Sequence, residues 1–138
     1  NYSHPATLED ALNMLKKTFA KYYNEDIKIA DASGVSRYNL VNSEFIVNVL
    51  EELFKDKSYK NLLATSGEGT LKERLLFLKG NLRAKTGTLA QMSSIAGTLK
   101  TQKGNDVIFS IIVQNSPKRK ALLKNFENTL IGIIYKRY

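Results

Sequence analysis

Residues 82–113 read LRAKTGTLAQMSSIAGTLKTQKGNDVIFSIIV. β-Branched and aromatic residues recur in this stretch, and short turn-forming segments interrupt it. We therefore predict three strands, over residues 82–89, 92–100 and 107–113. Because tight turns join them, including a hairpin turn at 103–106, the strands pair antiparallel. The third strand is an apolar run around Ser110, which is typical of a central strand covered on both faces.

Two helices are predicted in the first half of the chain. Thr7 and Asp10 resemble a capping box, after which apolar residues recur every three or four positions. Ser43 caps the second helix. The two apolar faces consist of Leu8, Ala11, Leu12, Leu15 and Phe19, and of Phe45, Ile46, Val49, Leu50 and Leu53.

Two more helices flank the predicted strands. Thr70 and Glu73 form a capping box for a short helix through Leu78, and Pro117 starts the last helix. The inward face of that last helix is predicted to contain Leu122, Phe126, Leu130, Ile133 and Ile134. Helices against an antiparallel sheet define an α+β fold. Three strands make a small sheet with exposed edges, which indicates that part of the domain lies outside this chain.

Composition excludes several classes of site. Hydrophobic residues make up 43% and charged residues 25% of the chain, as in folded globular proteins. The chain has no cysteine and one histidine, His4, so we expect no disulfide, no metal site and no cofactor. No segment approaches the about 18–20 apolar residues that span a membrane. The chain begins with Asn1, so we expect a processed or excised polypeptide, in which a missing signal peptide means little.

The positive charge leaves a non-enzymatic alternative open. Lys and Arg number 21 against 13 acidic residues, for a net charge of +8. Such a protein is attracted to polyanions, so a binding module for nucleic acid or an anionic wall polymer is one hypothesis. The basic residues are scattered, however, and the aromatic residues Tyr135 and Tyr138 fall at a helix end, which makes a poor stacking platform. We therefore favour a solvated basic surface and expect no nucleic-acid partner.

The segment Lys85-Thr86-Gly87-Thr88 carries the clearest chemical signal. In serine acyl-transfer enzymes of the β-lactamase and penicillin-binding-protein type, a Lys-Thr-Gly strand borders the active site. A substrate peptide can add to the edge of such a strand, and Gly87 would leave room for its backbone. The tripeptide alone is a weak signal, because an ordinary strand end with a surface lysine can contain it by chance.

Three further segments strengthen the signal. Residues 31–37, Asp-Ala-Ser-Gly-Val-Ser-Arg, resemble the Asp-Gly-Ser-Gly-Leu-Ser-Arg segment of the class C low-molecular-mass penicillin-binding proteins, which are D-Ala-D-Ala carboxypeptidases and endopeptidases. Residues 69–74 resemble the family's Gly-Thr/Ser-Leu segment with its following arginine, and residues 94–98 resemble its Leu-Ala-Gly strand. With the Lys-Thr-Gly segment, four matches stand in the family's order.

The resemblance implies a role for individual residues. Lys85, Thr86 and Gly87 would form the third active-site motif, and Thr88 would supply an amide of the oxyanion hole. The pocket for the stem-peptide side chain would involve Val35, Arg37, Leu89 and Ala90. Asp31, Ser33 and Ser36 are interpreted as residues that hold the shape of their loop. The implied partners are peptidoglycan stem peptides and β-lactams, in the periplasm or cell envelope.

Two motifs of the family are absent from this chain. The nucleophile motif, Ser-x-x-Lys, and the Ser-x-Asn motif both precede the Asp31 loop in the family, and neither occurs here. We therefore expect residues 1–138 to be one partial domain, the C-terminal part of a β-lactamase/transpeptidase-like domain, which is inactive alone. A relative that keeps the scaffold but has lost the chemistry is a second alternative.

Overall fold

A four-stranded antiparallel sheet forms the centre of the computed structural model, which describes residues 5–138. His4 lies outside these residues. The strands follow the chain in the order β1-β2-β3-β4 and comprise β1 (Ala64–Thr65), β2 (Leu82–Leu89), β3 (Met92–Lys100) and β4 (Asp106–Val113). The three long strands and the α+β class confirm the sequence prediction. The short strand β1 was not predicted.

Helices pack against this sheet. The helices are α1 (Leu8–Thr18), α2 (Ser43–Leu53), α3 (Lys57–Lys60) and α4 (Lys120–Arg137). Helix α4 packs on β3, and α2 packs mainly on β4. Alternate β3 residues are buried on one face, as period-two burial requires. The core there consists of Leu71, Leu75, Leu78, Leu82, Ala84, Ile95, Leu99, Phe109 and Ile131.

The two N-terminal helices begin as capping rules require, with one correction. The Thr7 hydroxyl accepts a bond from the Asp10 amide (3.2 Å), and the Asp10 carboxylate accepts one from the Thr7 amide (2.8 Å), so the predicted capping box is confirmed. Helix α2 is capped by Asn42 rather than Ser43, because the Asn42 side chain accepts the Phe45 amide. No residue of α1 is fully buried, and its predicted apolar face is only partly covered: Leu12, Leu15 and Phe19 are half-buried, whereas Leu8 and Ala11 are exposed.

The prediction of a short helix after Thr70 is wrong. This segment forms two 3₁₀ turns, Gly69–Leu71 and Leu76–Leu78, and Thr70 lies inside the first. Leu75 stands between them with φ 54°, in the left-handed region, which interrupts a right-handed helix. Burial of Leu75 in the core offsets the cost of that conformation. Tertiary packing thus overrides the local capping signal.

The inward face of α4 differs in part from the prediction. The buried residues are Leu123, Glu127 and Ile131, whereas Leu122, Phe126 and Ile133 are each more than half exposed. The other two predicted residues, Leu130 and Ile134, are half-buried, and Ile134 packs against the core. An apolar pattern could not reveal this face, because its middle position is a charged residue. The helix begins at Lys120 rather than Pro117.

Strand β4, which the sequence predicts to be a central strand, is the last strand of the sheet within the described residues. Within residues 5–138 it pairs only with β3, and most of its side chains are half-buried. Its second edge has no partner strand in this part of the protein, so a central position in the complete sheet stays a prediction.

Gly97 allows β2 and β3 to approach closely. A Cβ atom at this position would collide with the Arg83 carbonyl oxygen and would lie 2.7 Å from the Ala84 Cα. Both atoms belong to the backbone, so neither can move aside by a side-chain rotation. We expect Gly97→Ala to lower the free energy of unfolding by about 3 kcal/mol, at the upper end of overpacking costs, as measured by urea denaturation of the protein.

Gly132→Ala is the matched control for this substitution. The added Cβ would lie 3.7 Å from Phe77, an ordinary contact, in the middle of α4. Because alanine favours a helix over glycine, this variant should be as stable as the parent or more so. Equal stability of the two variants would contradict the close strand approach at Gly97.

Candidate functional site

The outer edge of β2 is open where the Lys85-Thr86-Gly87-Thr88 segment lies. Strand β1 pairs only with Arg83 and Ala84, so β2 has no outer partner from Lys85 to Leu89 among the described residues. Lys85 and Thr88 are exposed, while Thr86 and Gly87 are half-buried. The segment predicted to carry the chemistry therefore offers a free strand edge to a ligand.

The directions of the backbone groups on β2 follow from two contacts. The Asn81 carbonyl accepts a bond from the Lys100 amide of β3 (2.8 Å), whereas the Leu82 carbonyl accepts one from the Thr65 hydroxyl on the opposite side (2.9 Å). Successive residues of a strand direct their N–H and C=O groups to alternate sides. The backbone N–H and C=O groups of even-numbered residues therefore face the outer side of β2. This places the amide of Thr88 and the carbonyl of Thr86 on the open edge.

The Lys85 ammonium also lies at this edge. Its Nζ donates a hydrogen bond to the Thr86 carbonyl oxygen (2.9 Å), and it forms no ion pair with a described residue. Its positive charge is thus available to an anionic group that approaches β2. A carboxylate that approached this edge would meet the Lys85 cation.

Gly87 has a neighbour that the sequence did not indicate. A Cβ at this position would lie 2.5 Å from the Ser94 Oγ on β3, which is the cross-strand partner of Gly87. A side chain at position 87 would therefore require the Ser94 hydroxyl to move. Room for a substrate backbone, the reason expected from the sequence, stays a prediction.

The 31–39 loop is held by its own polar groups. The Asp31 carboxylate accepts bonds from the Ser33 amide (2.9 Å) and hydroxyl (2.8 Å), and these bonds hold the pKa of Asp31 below its usual value. The Ser36 hydroxyl accepts the Tyr38 amide (3.1 Å). These contacts agree with the interpretation of Asp31, Ser33 and Ser36 as loop-shaping residues.

Arg37 connects this loop to the sheet. Its Nη2 donates to the Ala90 carbonyl oxygen (3.3 Å) in the turn between β2 and β3. Leu89, half-buried, ends β2 beside this turn, and Val35 is 68% exposed near the loop tip. The structure thus joins Arg37 to Ala90 directly, whereas the Val35 side chain is largely exposed to solvent.

One buried ion pair was missed by sequence reasoning. Arg74 donates to the carboxylate of Glu127 (2.7 Å), and Glu127 is fully buried. Arg74 also bonds the Asn128 side chain and the Lys124 carbonyl, so it ties the segment before β2 to α4. Arg74 belongs to a quoted family segment, but no local pattern indicates its partner, 53 residues later.

The part of the chain that the structure describes contains neither a cluster of metal-ligating side chains nor a membrane-spanning helix. No group of three or more His, Cys, Asp or Glu side chains there could hold a metal ion. No helix in that part is long and apolar enough to cross a bilayer.

Comparison with known proteins identifies related molecules. D-alanyl-D-alanine carboxypeptidase DacB of Haemophilus influenzae is 29% identical over 154 aligned residues, which cover 98% of this chain and 32% of that protein. Penicillin-sensitive carboxypeptidase A of Dictyostelium discoideum is 26% identical and is matched by 77% of this chain over 23% of its own length.

Solved structures give the same result. The crystal structure of penicillin-binding protein 4 (dacB) from Haemophilus influenzae matches with a TM-score of 0.84 and 28% identity, over 98% of this chain and 34% of that one. The same protein in complex with a β-lactam matches with a TM-score of 0.83. The chain therefore spans about a third of the length of these relatives.

The family assignment rests on nearly the whole chain. The sequence profile of the D-Ala-D-Ala carboxypeptidase 3 (S13) family matches residues 1–135. The segments quoted above and the fold shared with penicillin-binding protein 4 agree with that match. The chain belongs to the D-Ala-D-Ala carboxypeptidase 3 (S13) family, whose members are penicillin-binding serine carboxypeptidases.

Proposed function

We propose that this chain is the C-terminal part of a penicillin-sensitive, serine-type D-Ala-D-Ala carboxypeptidase or endopeptidase that acts on peptidoglycan stem peptides. Within that enzyme the chain would supply the Lys-Thr-Gly strand. The observation that carries the proposal is the open edge of β2, where the Lys85 ammonium and the outward-directed amide of Thr88 are found together.

The edge provides groups that can bind the peptide and stabilise the oxyanion. The peptide adds to β2 as an extended strand, and its terminal carboxylate binds the Lys85 ammonium and the Thr86 hydroxyl. A serine in the part of the enzyme outside this chain attacks the D-Ala-D-Ala carbonyl after a base removes its proton. The negative charge that develops on the carbonyl oxygen accepts a hydrogen bond from the Thr88 amide.

The acyl-enzyme then turns over. The bond between the carbonyl carbon and the leaving D-Ala nitrogen breaks, the nitrogen takes up a proton, and an ester to the serine remains. Water hydrolyses that ester and restores the serine. A β-lactam would acylate the same serine, with its carboxylate in the place of the peptide carboxylate.

The 31–39 loop and the β2–β3 hairpin would form the pocket for a stem-peptide side chain. The Arg37 guanidinium beside Ala90 provides a cation at the mouth, and Val35 and Leu89 provide apolar surface. This pocket would select among stem peptides, because the carboxylate-binding groups on β2 contact only their common D-Ala-D-Ala end.

The proposal includes the domain boundary and the location. Residues 1–138 form one partial domain, without the Ser-x-x-Lys and Ser-x-Asn motifs, and would be inactive alone. Because the substrate lies in the cell wall, the enzyme would work in the periplasm or cell envelope. The chain matches about a third of the length of its relatives, which supports the partial domain. The activity of those relatives supports the location.

Release of D-alanine from a stem pentapeptide tests the function. We expect release by the full-length protein and none by residues 1–138 alone, as followed by an enzyme-coupled D-alanine assay. Release by the isolated chain would contradict the missing nucleophile. A folded full-length protein that releases no D-alanine and binds no penicillin would contradict the activity and favour a relative that has lost its chemistry.

A further inference from the structure

Asn39 closes the base of the 31–39 loop. Its Oδ1 accepts hydrogen bonds from the amides of Ala30 (2.6 Å) and Asp31 (3.1 Å), and its Nδ2 donates to the Asp31 carbonyl (3.2 Å). Just outside it, Lys28 and Leu40 exchange backbone bonds of 2.8 and 2.7 Å. The two arms of the loop are thus joined by one side chain above a single bridge.

Little else fixes the shape of this loop. Its large apolar side chains, Val35 and Tyr38, are 68% and 76% exposed, so no apolar core supports it. The bonds from Ser33 and Ser36 shape the tip, but each stays within two residues along the chain. The bonds of Asn39 to Ala30 and Asp31 therefore hold the two arms together at the base on which the tip stands.

The loop has one described side-chain bond to the sheet, from Arg37 to the Ala90 carbonyl. Ala90 immediately follows Leu89, the last residue of β2, and lies two positions after Thr88. Gln91, the next turn residue, has φ 61°, an uncommon conformation for a non-glycine residue, so this turn is not held by its local preference alone. The orientation of Arg37 can therefore affect this turn, which follows the open edge.

We propose that Asn39 is a positioning residue, which fixes the 31–39 loop so that Arg37 braces the β2–β3 hairpin beside Thr88. Asn39 itself would not touch substrate. Its structural effect stands without the proposed function, whereas its effect on peptide binding rests on that function. Loss of Asn39 would leave the β2 edge intact and weaken the pocket that faces it.

Amide hydrogen exchange of the full-length protein tests the structural part. In Asn39→Ala we expect exchange about tenfold faster in residues 31–39 and also in the hairpin, the effect of losing a hydrogen bond or two. Unchanged protection in β3 would show that the variant is folded. Faster exchange in the loop with an unchanged hairpin would overturn the proposal.

Two further variants separate the steps. Arg37→Gln should speed exchange in the hairpin without changing the loop base at Ala30 and Asp31. Asn24→Ala is the matched control, because Asn24 also accepts a backbone amide, that of Asp26 (3.0 Å), but in a different loop. Faster hairpin exchange in Asn24→Ala would show that the effect is not specific and would overturn the proposal.

Steady-state kinetics test the consequence for catalysis. In Asn39→Ala, KM for a stem pentapeptide should rise about tenfold while the rate of acylation by penicillin stays within about twofold. Equal losses in both, in a protein with native β3 protection, would contradict a role through the side-chain pocket. If the parent protein itself lacks activity, the proposed function fails, and hydrogen exchange still decides the role of Asn39.

Discussion

Replacement of Lys85 by alanine should slow the acylation of the full-length protein by penicillin about a hundredfold or more. Lys85 is the cation at the open edge of β2, and it forms no ion pair with a described residue. Removal of a preorganised group that stabilises charge at an active site has effects of this size. The measurement is the rate at which a fluorescent penicillin becomes covalently attached, followed on denaturing gels.

Lys100→Ala provides the control for that substitution. Lys100 is also exposed and lies on the same sheet, at the end of β3 opposite Asp106 rather than at the β2 edge. The fluorescent penicillin should label the Lys100→Ala variant at the parental rate. Near-parental labelling of Lys85→Ala would refute the role assigned to Lys85, whereas slow labelling of both variants would indicate a general effect of surface charge.

Removal of the buried carboxylate by Glu127→Ala should lower the free energy of unfolding by about 3–5 kcal/mol. Glu127 is fully buried, and its loss would leave the nearly buried Arg74 guanidinium without its counter-charge. Breaking one side of a buried ion pair costs this much, because the remaining charge stays desolvated. Urea denaturation measures the change.

A double-mutant cycle distinguishes loss of the pair from loss of packing. The apolar double variant Arg74→Met, Glu127→Leu should be more stable than Glu127→Leu alone, because no buried charge remains. Glu52→Ala, which removes the partially exposed partner of the exposed Lys21 and Lys55, should cause a much smaller loss. If Glu127→Ala is no more harmful than Glu52→Ala, the ion pair does not hold α4 to the segment before β2.

The sheet could be predicted from the sequence because its information is local. Strands β2, β3 and β4 are long runs of strand-forming residues with short turns, and the predicted bounds agree to within a residue. Strand β1 has only two residues and pairs with Ala84 and Arg83 through a distant contact, so no period could reveal it.

The errors arise where a distant residue decides the local structure. Glu127 lies on the inner face of α4 because Arg74 neutralises it there, and an apolar pattern assigns it to solvent. Leu75 interrupts the helix predicted after Thr70 because its side chain fills the core.

The candidate site divides in the same way. The Lys85-Thr86-Gly87-Thr88 segment and the 31–37 segment could be found from short motifs, since their residues are contiguous. Three contacts join residues that lie outside one another's motifs: that between Gly87 and Ser94, the bond from Arg37 to Ala90 and the bonds of Asn39 across the loop. They emerge only from the folded chain.

A crystal structure of the full-length protein acylated by penicillin would show whether the β2 edge is the binding site. We expect the penicillin to lie along the open edge of β2, with its carboxylate at Lys85 and the Thr86 hydroxyl and its acyl oxygen within hydrogen-bonding distance of the Thr88 amide. An acyl group attached to a serine elsewhere, with the β2 edge empty, would contradict it.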